Sequence, residues 1–348
     1  MRVVAIAQNA YNWSIRPSEN ALGLLHWSMN NYSPFLYRSE AGYHILQKWY
    51  DTATAAFNVP LSSRYVSTRY GQTHMLVAGD DAAPPLVLIS GYGAGAPLWR
   101  EQIEYFSASR RVYAVDNVGQ PGKSAPNVPN LLDDSWPQWL NDVFDALEID
   151  QPDLASVCLG GWVGMRYAAL YPNRLRRLIL LSPVGIAPFK IYWRSGVPLI
   201  LNMRNNPDAA GQRLIRMVFM PPNRINNAKK FNKEVLNALS LVVKHYNAGA
   251  LAGMSAKPNL AEIGRGIRAL LKFVRGESGK TLAKIQSPTL LIIGEHEAIF
   301  DPHKAAKRAQ KFMPRLQVEI VSEASHAAIY DCPEWVNERI GRFLKGDG

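Results

Sequence analysis

From about Ser62 onward the chain alternates between short apolar runs and longer stretches whose apolar residues recur three and four positions apart. Ser63–Arg69 and Gln72–Ala78 are two β-like runs separated by Tyr70-Gly71, a pattern that predicts a hairpin. Pro85–Ser90 then predicts a buried strand, residues near Leu98–Phe106 a helix, and Arg111–Asp116 another strand. Trp136, Leu140, Val143, Phe144 and Leu147 share one helical face. Strands are expected at Asp153–Val157, Arg177–Ser182, Pro288–Gly294 and Leu316–Val321, and helices at Leu159–Leu170, His303–Phe312 and Pro333–Leu344. Such alternation predicts an α/β fold, a mostly parallel sheet with helices on both faces.

Two stretches leave this rhythm. Residues 1–61 read as a mostly helical N-terminal arm, with Tyr43, Leu46, Trp49 and Tyr50 at helical spacing. Its further aromatics (Trp13, Trp27, Tyr32, Phe35, Tyr37) leave three roles open: packing on a cap, narrowing a pocket, or making a dimer. Residues 185–286 show amphipathic helical patterns (Leu214, Ile215, Val218; Val235, Leu236, Leu239, Leu241) and no clear strand. A structureless loop of that length is implausible, so the segment reads as a helical cap between two parts of a core, 62–184 and 287–348.

Charge sharpens this division. The net charge is +11 over 348 residues, yet 185–286 holds 17 Lys/Arg against 4 Asp/Glu, and the rest of the chain 22 against 24. The whole basic excess therefore lies in the expected cap, which suits anionic partners. No apolar run reaches the ~18 residues of a membrane span, and the apolar start is cut off by Gln8 and Asn9, too short for a signal-peptide core. A cytoplasmic location is the expectation. Two cysteines, Cys158 and Cys332, cannot form a disulfide framework, and no Cys/His spacing suits zinc. Neither a metal nor a cofactor is expected.

The chemistry concentrates at three strand ends. Ser156-Val157-Cys158-Leu159-Gly160-Gly161 sits at a strand-to-helix junction, with small residues on both sides of a nucleophile. A nucleophile elbow needs small neighbours because its central residue lies in a strained turn. The helix N-terminus also favours a thiolate. The plainer reading of Cys158 is a small buried hydrophobe. Gly294-Glu295-His296-Glu297 follows a later strand, and Glu323-Ala324-Ser325-His326 the last one. Nucleophile, acid and histidine thus appear in order, each past a strand's C-terminal end, where open parallel sheets carry their sites. Asp301 rivals Glu297 as the acid, although Asp301-Pro302 also reads as an N-cap with proline at the first helical position. His326 has a plainer role as a surface histidine, and Cys332 reads as structural.

On these motifs the chain resembles the α/β-hydrolase superfamily from about residue 62 to its end, and Gly294–Pro302 is similar to the family's small bacterial carboxylesterases. The resemblance implies Cys158 as nucleophile, Glu297 as acid and His326 as general base. It also implies an oxyanion hole from the backbone N–H groups of Leu159 and Tyr92. Two departures stand out. Ser90-Gly91 occupies a place where the family often has His-Gly, and cysteine replaces serine at the nucleophile. Cys-acid-His sets occur elsewhere in the superfamily, as in dienelactone hydrolases and polyhydroxyalkanoate synthases.

The expected function is acyl transfer through an acyl-cysteine, from an ester or thioester to water or another acceptor. The basic cap suits an acyl group carried on coenzyme A or on an acidic carrier protein. A catalytically inactive binding protein of the same fold is one rival. A dinucleotide-binding oxidoreductase is another, from Gly91-x-Gly93-x-x-Ala96 and Asp116. Nucleic-acid binding finds no motif beyond charge.

Overall fold

The computed structural model describes residues 32–190, 215, 218, 233–255 and 257–346. Eight strands form one sheet in the order β1-β2-β4-β3-β5-β6-β7-β8. Strands β1 (Ser62–Thr68) and β2 (Gly71–Ala78) form the expected antiparallel hairpin, and β2 also runs antiparallel to β4 (Arg111–Val115). All other pairings are parallel: β3 (Pro85–Ile89), β5 (Asp153–Val157), β6 (Arg177–Leu181), β7 (Thr289–Gly294) and β8 (Leu316–Val321). In register, Ile89 faces Ser156 and Gly294 faces Val321, so the strands that carry the candidate motifs end at one edge of the sheet.

Alternation along the strands divides the core into two layers. Val77, Val87 and Ile89 point to one face, while Leu76, Leu86 and Leu88 point to the other. Helices α3 (Ser135–Ala146) and α4 (Leu159–Leu170) cover the first face with Trp136, Trp139, Phe144 and Trp162. The second face packs on α2 (Arg100–Phe106) and α9 (Pro333–Lys345) through Ile103, Phe106, Val336 and Phe343. Helix α4 is apolar almost all round and lies buried, as such a helix must. It begins and ends where the pattern predicts. The helix expected near Leu98 opens instead as a 3-10 turn, Ala96–Trp99. Ser90, Asp116 and Ser182, expected as the last residues of their strands, lie just beyond the observed ones and begin loops.

Within the arm, α1 (Glu40–Ala55) is capped by Ser39 and buries Tyr43, Leu46 and Tyr50. Trp13 and Trp27 lie outside the described residues, as does Leu214 of the insertion. Between β6 and β7 the described residues are helical: α5 (Lys233–His245), a 3-10 turn Ala248–Ala252, α6 (Leu260–Arg275) and α7 (Gly279–Ala283). The arm packs against this insertion. Tyr37 meets Tyr43 at 5.0 Å and Tyr246 at 6.0 Å between ring centroids. Arg38 N–H donates to His245 C=O (2.9 Å) and Asn247 N–H to Leu36 C=O (2.7 Å). No described helix is long and apolar enough to cross a membrane.

Candidate active site

Cys158 links β5 to α4 with φ 53° and ψ −113°, the left-handed side of conformational space that a side chain adopts only under constraint. The surroundings supply the constraint. Its N–H donates to Leu181 C=O (3.0 Å), and its C=O accepts from Trp162 (3.2 Å) and Val184 (3.0 Å). A Cβ at Gly160 would stand 2.5 Å from the carbonyl oxygens of Ile89 and Ser90, and one at Gly161 would stand 2.5 Å from Pro183 Cβ. Only glycine lets the turn approach the neighbouring strand ends so closely.

Two loops bring the other groups to this turn. After β7, Glu297 is buried; its Oε1 accepts the Ile299 N–H (2.8 Å), and Lys190 Nζ donates to its carbonyl (3.1 Å). After β8, His326 is 3 % exposed, and its Nδ1–H donates to Glu297 Oε2 over 2.7 Å. Cys158 lies close enough to the same imidazole to act on it electrostatically. Burial alone would push the His326 proton off. Glu297 and Cys158 outweigh it and hold His326 well above the ordinary imidazole value. Helix α4 begins at Leu159, so its N-terminal dipole also faces the sulfur.

Asp301 has a different position. Its carboxylate accepts the Lys304 N–H (3.0 Å) as N-cap of α8 (Pro302–Phe312), and that bond holds it below the usual aspartate range. Glu295 accepts from Ser322 Oγ (2.9 Å) and Glu323 N–H (3.0 Å). With His296 and Glu323 it forms a surface group of potential metal ligands outside the Cys158 turn.

The loop after β3 carries Tyr92 beside the turn; a Cβ on Gly91 would lie 3.1 Å from Cys158 Cβ. Side chains fix its backbone from outside. Gly93 N–H donates to Gln120 Oε1 (2.7 Å), Asn117 Nδ2 to Ser90 C=O (2.9 Å), and Trp99 Nε1 to Ser90 Oγ (2.9 Å). Ser90 therefore has a partner of its own in the place where a histidine is often found. Among the described residues, neither the Tyr92 nor the Leu159 N–H has a protein acceptor. Asp116, the acid of the dinucleotide reading, is fully buried beneath this loop. It accepts the Ala96 N–H (2.8 Å) and Lys123 N–H (3.0 Å) and pairs with His74 Nδ1 (2.8 Å). It braces the loop and presents no face to a ribose.

The family described as alpha/beta hydrolase fold matches residues 84–333. This chain belongs to the α/β-hydrolase fold family. The hydrolase is similar to a carboxylesterase designated nap from Bacillus subtilis, at 30 % identity over 309 residues, 86 % of this chain and 91 % of that protein. It is also similar to carboxylesterase YbfK from the same organism, at 28 % over 307 residues, 88 % and 95 % of the two chains. The crystal structure of carboxylesterase CesB (YbfK) superposes with a TM-score of 0.72 at 26 % identity, covering 88 % of this chain and 99 % of that one.

Sequence reasoning about the hydrolase missed residues that act across long separations. Gln120 and Asn117 carry no local signal for bracing the Tyr92 loop. Glu277, at the end of the insertion, accepts from Trp162 Nε1 (2.7 Å) one turn after Cys158. Tyr330 is half-buried near Cys158, and loss of solvent first, then Cys158, pushes its phenol up. It also lines a cleft of about 250 Å³ with Trp49, Pro97, Leu98 and Val235, between arm, core and insertion. Its only sequence signal was its place between His326 and the last helix.

Proposed function

We propose that the protein hydrolyses carboxylic esters or thioesters through a covalent acyl-cysteine, with Cys158, His326 and Glu297 acting together. The observation that carries this reading is the buried Glu297–His326 pair set beside Cys158, which itself sits at a strained turn. The Cys158 thiolate attacks the carbonyl carbon. The N–H groups of Tyr92 and Leu159 stabilise the oxyanion. His326 gives its proton to the departing alkoxide or thiolate, and the acyl group remains as a thioester on Sγ. Water then attacks that thioester, His326 takes its proton, and Cys158 leaves as thiolate. The cleft beside Tyr330 joins apolar Pro97, Leu98 and Val235 with the charged Arg100, Glu101 and Glu234.

Residues 185–286 serve in this reading as a cap over the core, tied to α4 by Glu277. The similarity to carboxylesterases favours water as acceptor and an ester as substrate. The cationic excess of the cap favours coenzyme A or an acidic carrier protein as acyl donor. Neutralising pairs of cap Lys/Arg should raise KM for such donors and leave small neutral esters unaffected; an unchanged KM contradicts the carrier assignment. For the reading as a whole, hydrolysis of an activated aryl ester should fall by ~10³-fold or more in Cys158→Ala. Full activity in that variant overturns it.

A further inference from the structure

Helix α6 carries its apolar side outward. The side toward the body is built of Gly266 and Ala269, and a Cβ at Gly266 would stand only 2.5 Å from Met254 Sδ. Phe273 turns in to Trp162, but five other large apolar residues face solvent: Leu260 is 88 % exposed, Ile263 40 %, Ile267 54 %, Leu270 50 % and Leu271 43 %. At about 100° per residue these positions make one stripe roughly 100° wide. Arg265, Arg268 and Arg275 are exposed and flank the stripe on one side. The helix's one acid, Glu262, is occupied by the Ser255 N–H (3.0 Å) and hydroxyl (2.8 Å).

A second feature adjoins the cationic flank. Arg265 and Arg268 line a cleft of about 710 Å³ with Asn127, Asn130 and Leu132, and no Asp or Glu contributes to its lining. Nearby Asp133 is engaged by Asn130 Nδ2 (2.7 Å) and Ser135 N–H (2.9 Å), and Lys272 turns inward to Leu131 C=O (2.8 Å). Arg265 spends one bond, at 3.3 Å, on Gly253 C=O.

We propose that α6 docks the protein on an anionic lipid surface. The Leu260–Leu271 stripe enters the interfacial layer, and Arg265 and Arg268 meet lipid phosphates at the neighbouring cleft. A soluble phosphorylated ligand would use the arginines and leave the stripe without a role. A second copy of the chain would use the stripe and leave the arginine-lined cleft without a role. An anionic bilayer satisfies both features at once.

The test is flotation of the full chain with phosphatidylcholine vesicles and with vesicles that also contain phosphatidylglycerol. Binding should be at least ~30-fold tighter to the phosphatidylglycerol vesicles and should weaken with salt. Ile267→Glu/Leu271→Glu should abolish binding, and Arg265→Gln/Arg268→Gln should reduce the anionic preference by ~30-fold, about fivefold per charge. Far-ultraviolet circular dichroism should be unchanged in both variants, since all four side chains are exposed. Ile267→Ser gives a milder replacement should the double variant misfold. Cys158→Ala should bind vesicles as wild type does, so docking is separable from turnover. Absence of binding to the phosphatidylglycerol vesicles overturns the proposal, as does binding that Ile267→Glu/Leu271→Glu leaves intact. A dimer in sedimentation velocity that this variant dissolves, without vesicle binding, also overturns it and assigns the stripe to a second copy.

Discussion

In the proposed mechanism His326 holds its proton between two anions in a buried site. Burial works against the charge, so the balance rests on Glu297 and Cys158, both of which raise the His326 pKa. The sign of each substitution follows. Glu297→Gln removes one anion while burial remains, so the His326 pKa falls. The alkaline limb of kcat/KM, where the imidazolium is lost, should then move to lower pH, with a rate loss of roughly 10²-fold or more. A pH–rate profile of the two proteins checks this; an unmoved limb contradicts the role of Glu297. Cys158→Ser removes the other anion and also lowers the His326 pKa. The serine needs neutral imidazole as base, so activity in that variant should rise with pH as His326 deprotonates, giving an acid limb in place of the alkaline one.

At the scale of elements, the β5–α4 turn and the start of α8 separate structure from chemistry. Gly160→Ala would press a methyl onto the Ile89 and Ser90 carbonyls, so the turn must open. Activity should be lost together with ~1–3 kcal/mol of stability by chemical denaturation. Asp301→Ala should cost about 1 kcal/mol for the lost N-cap while turnover persists. Loss of turnover in that variant would return the acid role to Asp301. Much of this level was legible in the sequence. Asp153–Val157, Leu159–Leu170 and Leu316–Val321 have the predicted bounds, because apolar period and glycine or proline punctuation agree there. The order of Cys158, Glu297 and His326 was legible for a related reason: each lies just past a strand end. The rest depends on contacts between distant positions. Nothing local marks Gln120 as the group that holds Gly93, Asp116 as a buried brace, or Tyr246 as the anchor on which Tyr37 packs. Helix α6 escaped differently: its period reads as an ordinary amphipathic helix, and only the fold shows which side faces out.

Across the whole molecule, the sheet's two ends have different tasks. The ends of β3, β5, β7 and β8 carry the candidate site, while the opposite end is locked by charge. Asp153, fully buried at the start of β5, takes Arg110 at 2.8 Å together with Arg176 and Arg177. Arg110 also donates to Leu344 C=O (3.1 Å), which fastens the last helix. Burial lowers the Arg110 pKa, and Asp153 opposes that pull. Asp153→Ala would leave three guanidinium groups facing one another in a partly buried site. It should cost about 3–5 kcal/mol of folding stability, read by denaturant unfolding, with little change in kcat for whatever fraction remains folded. A loss under 1 kcal/mol would show that the cluster is solvated rather than buried in effect.

Intact-protein mass spectrometry after brief exposure to an activated aryl ester and to short, medium and aromatic acyl thioesters tests the acyl-cysteine most directly. The expected result is one added acyl mass that maps to Cys158, accumulates before product is released, and is absent in Cys158→Ala. Turnover of any of these substrates with no adduct on Cys158, or an adduct that persists in Cys158→Ala, would contradict a thiol nucleophile at this turn.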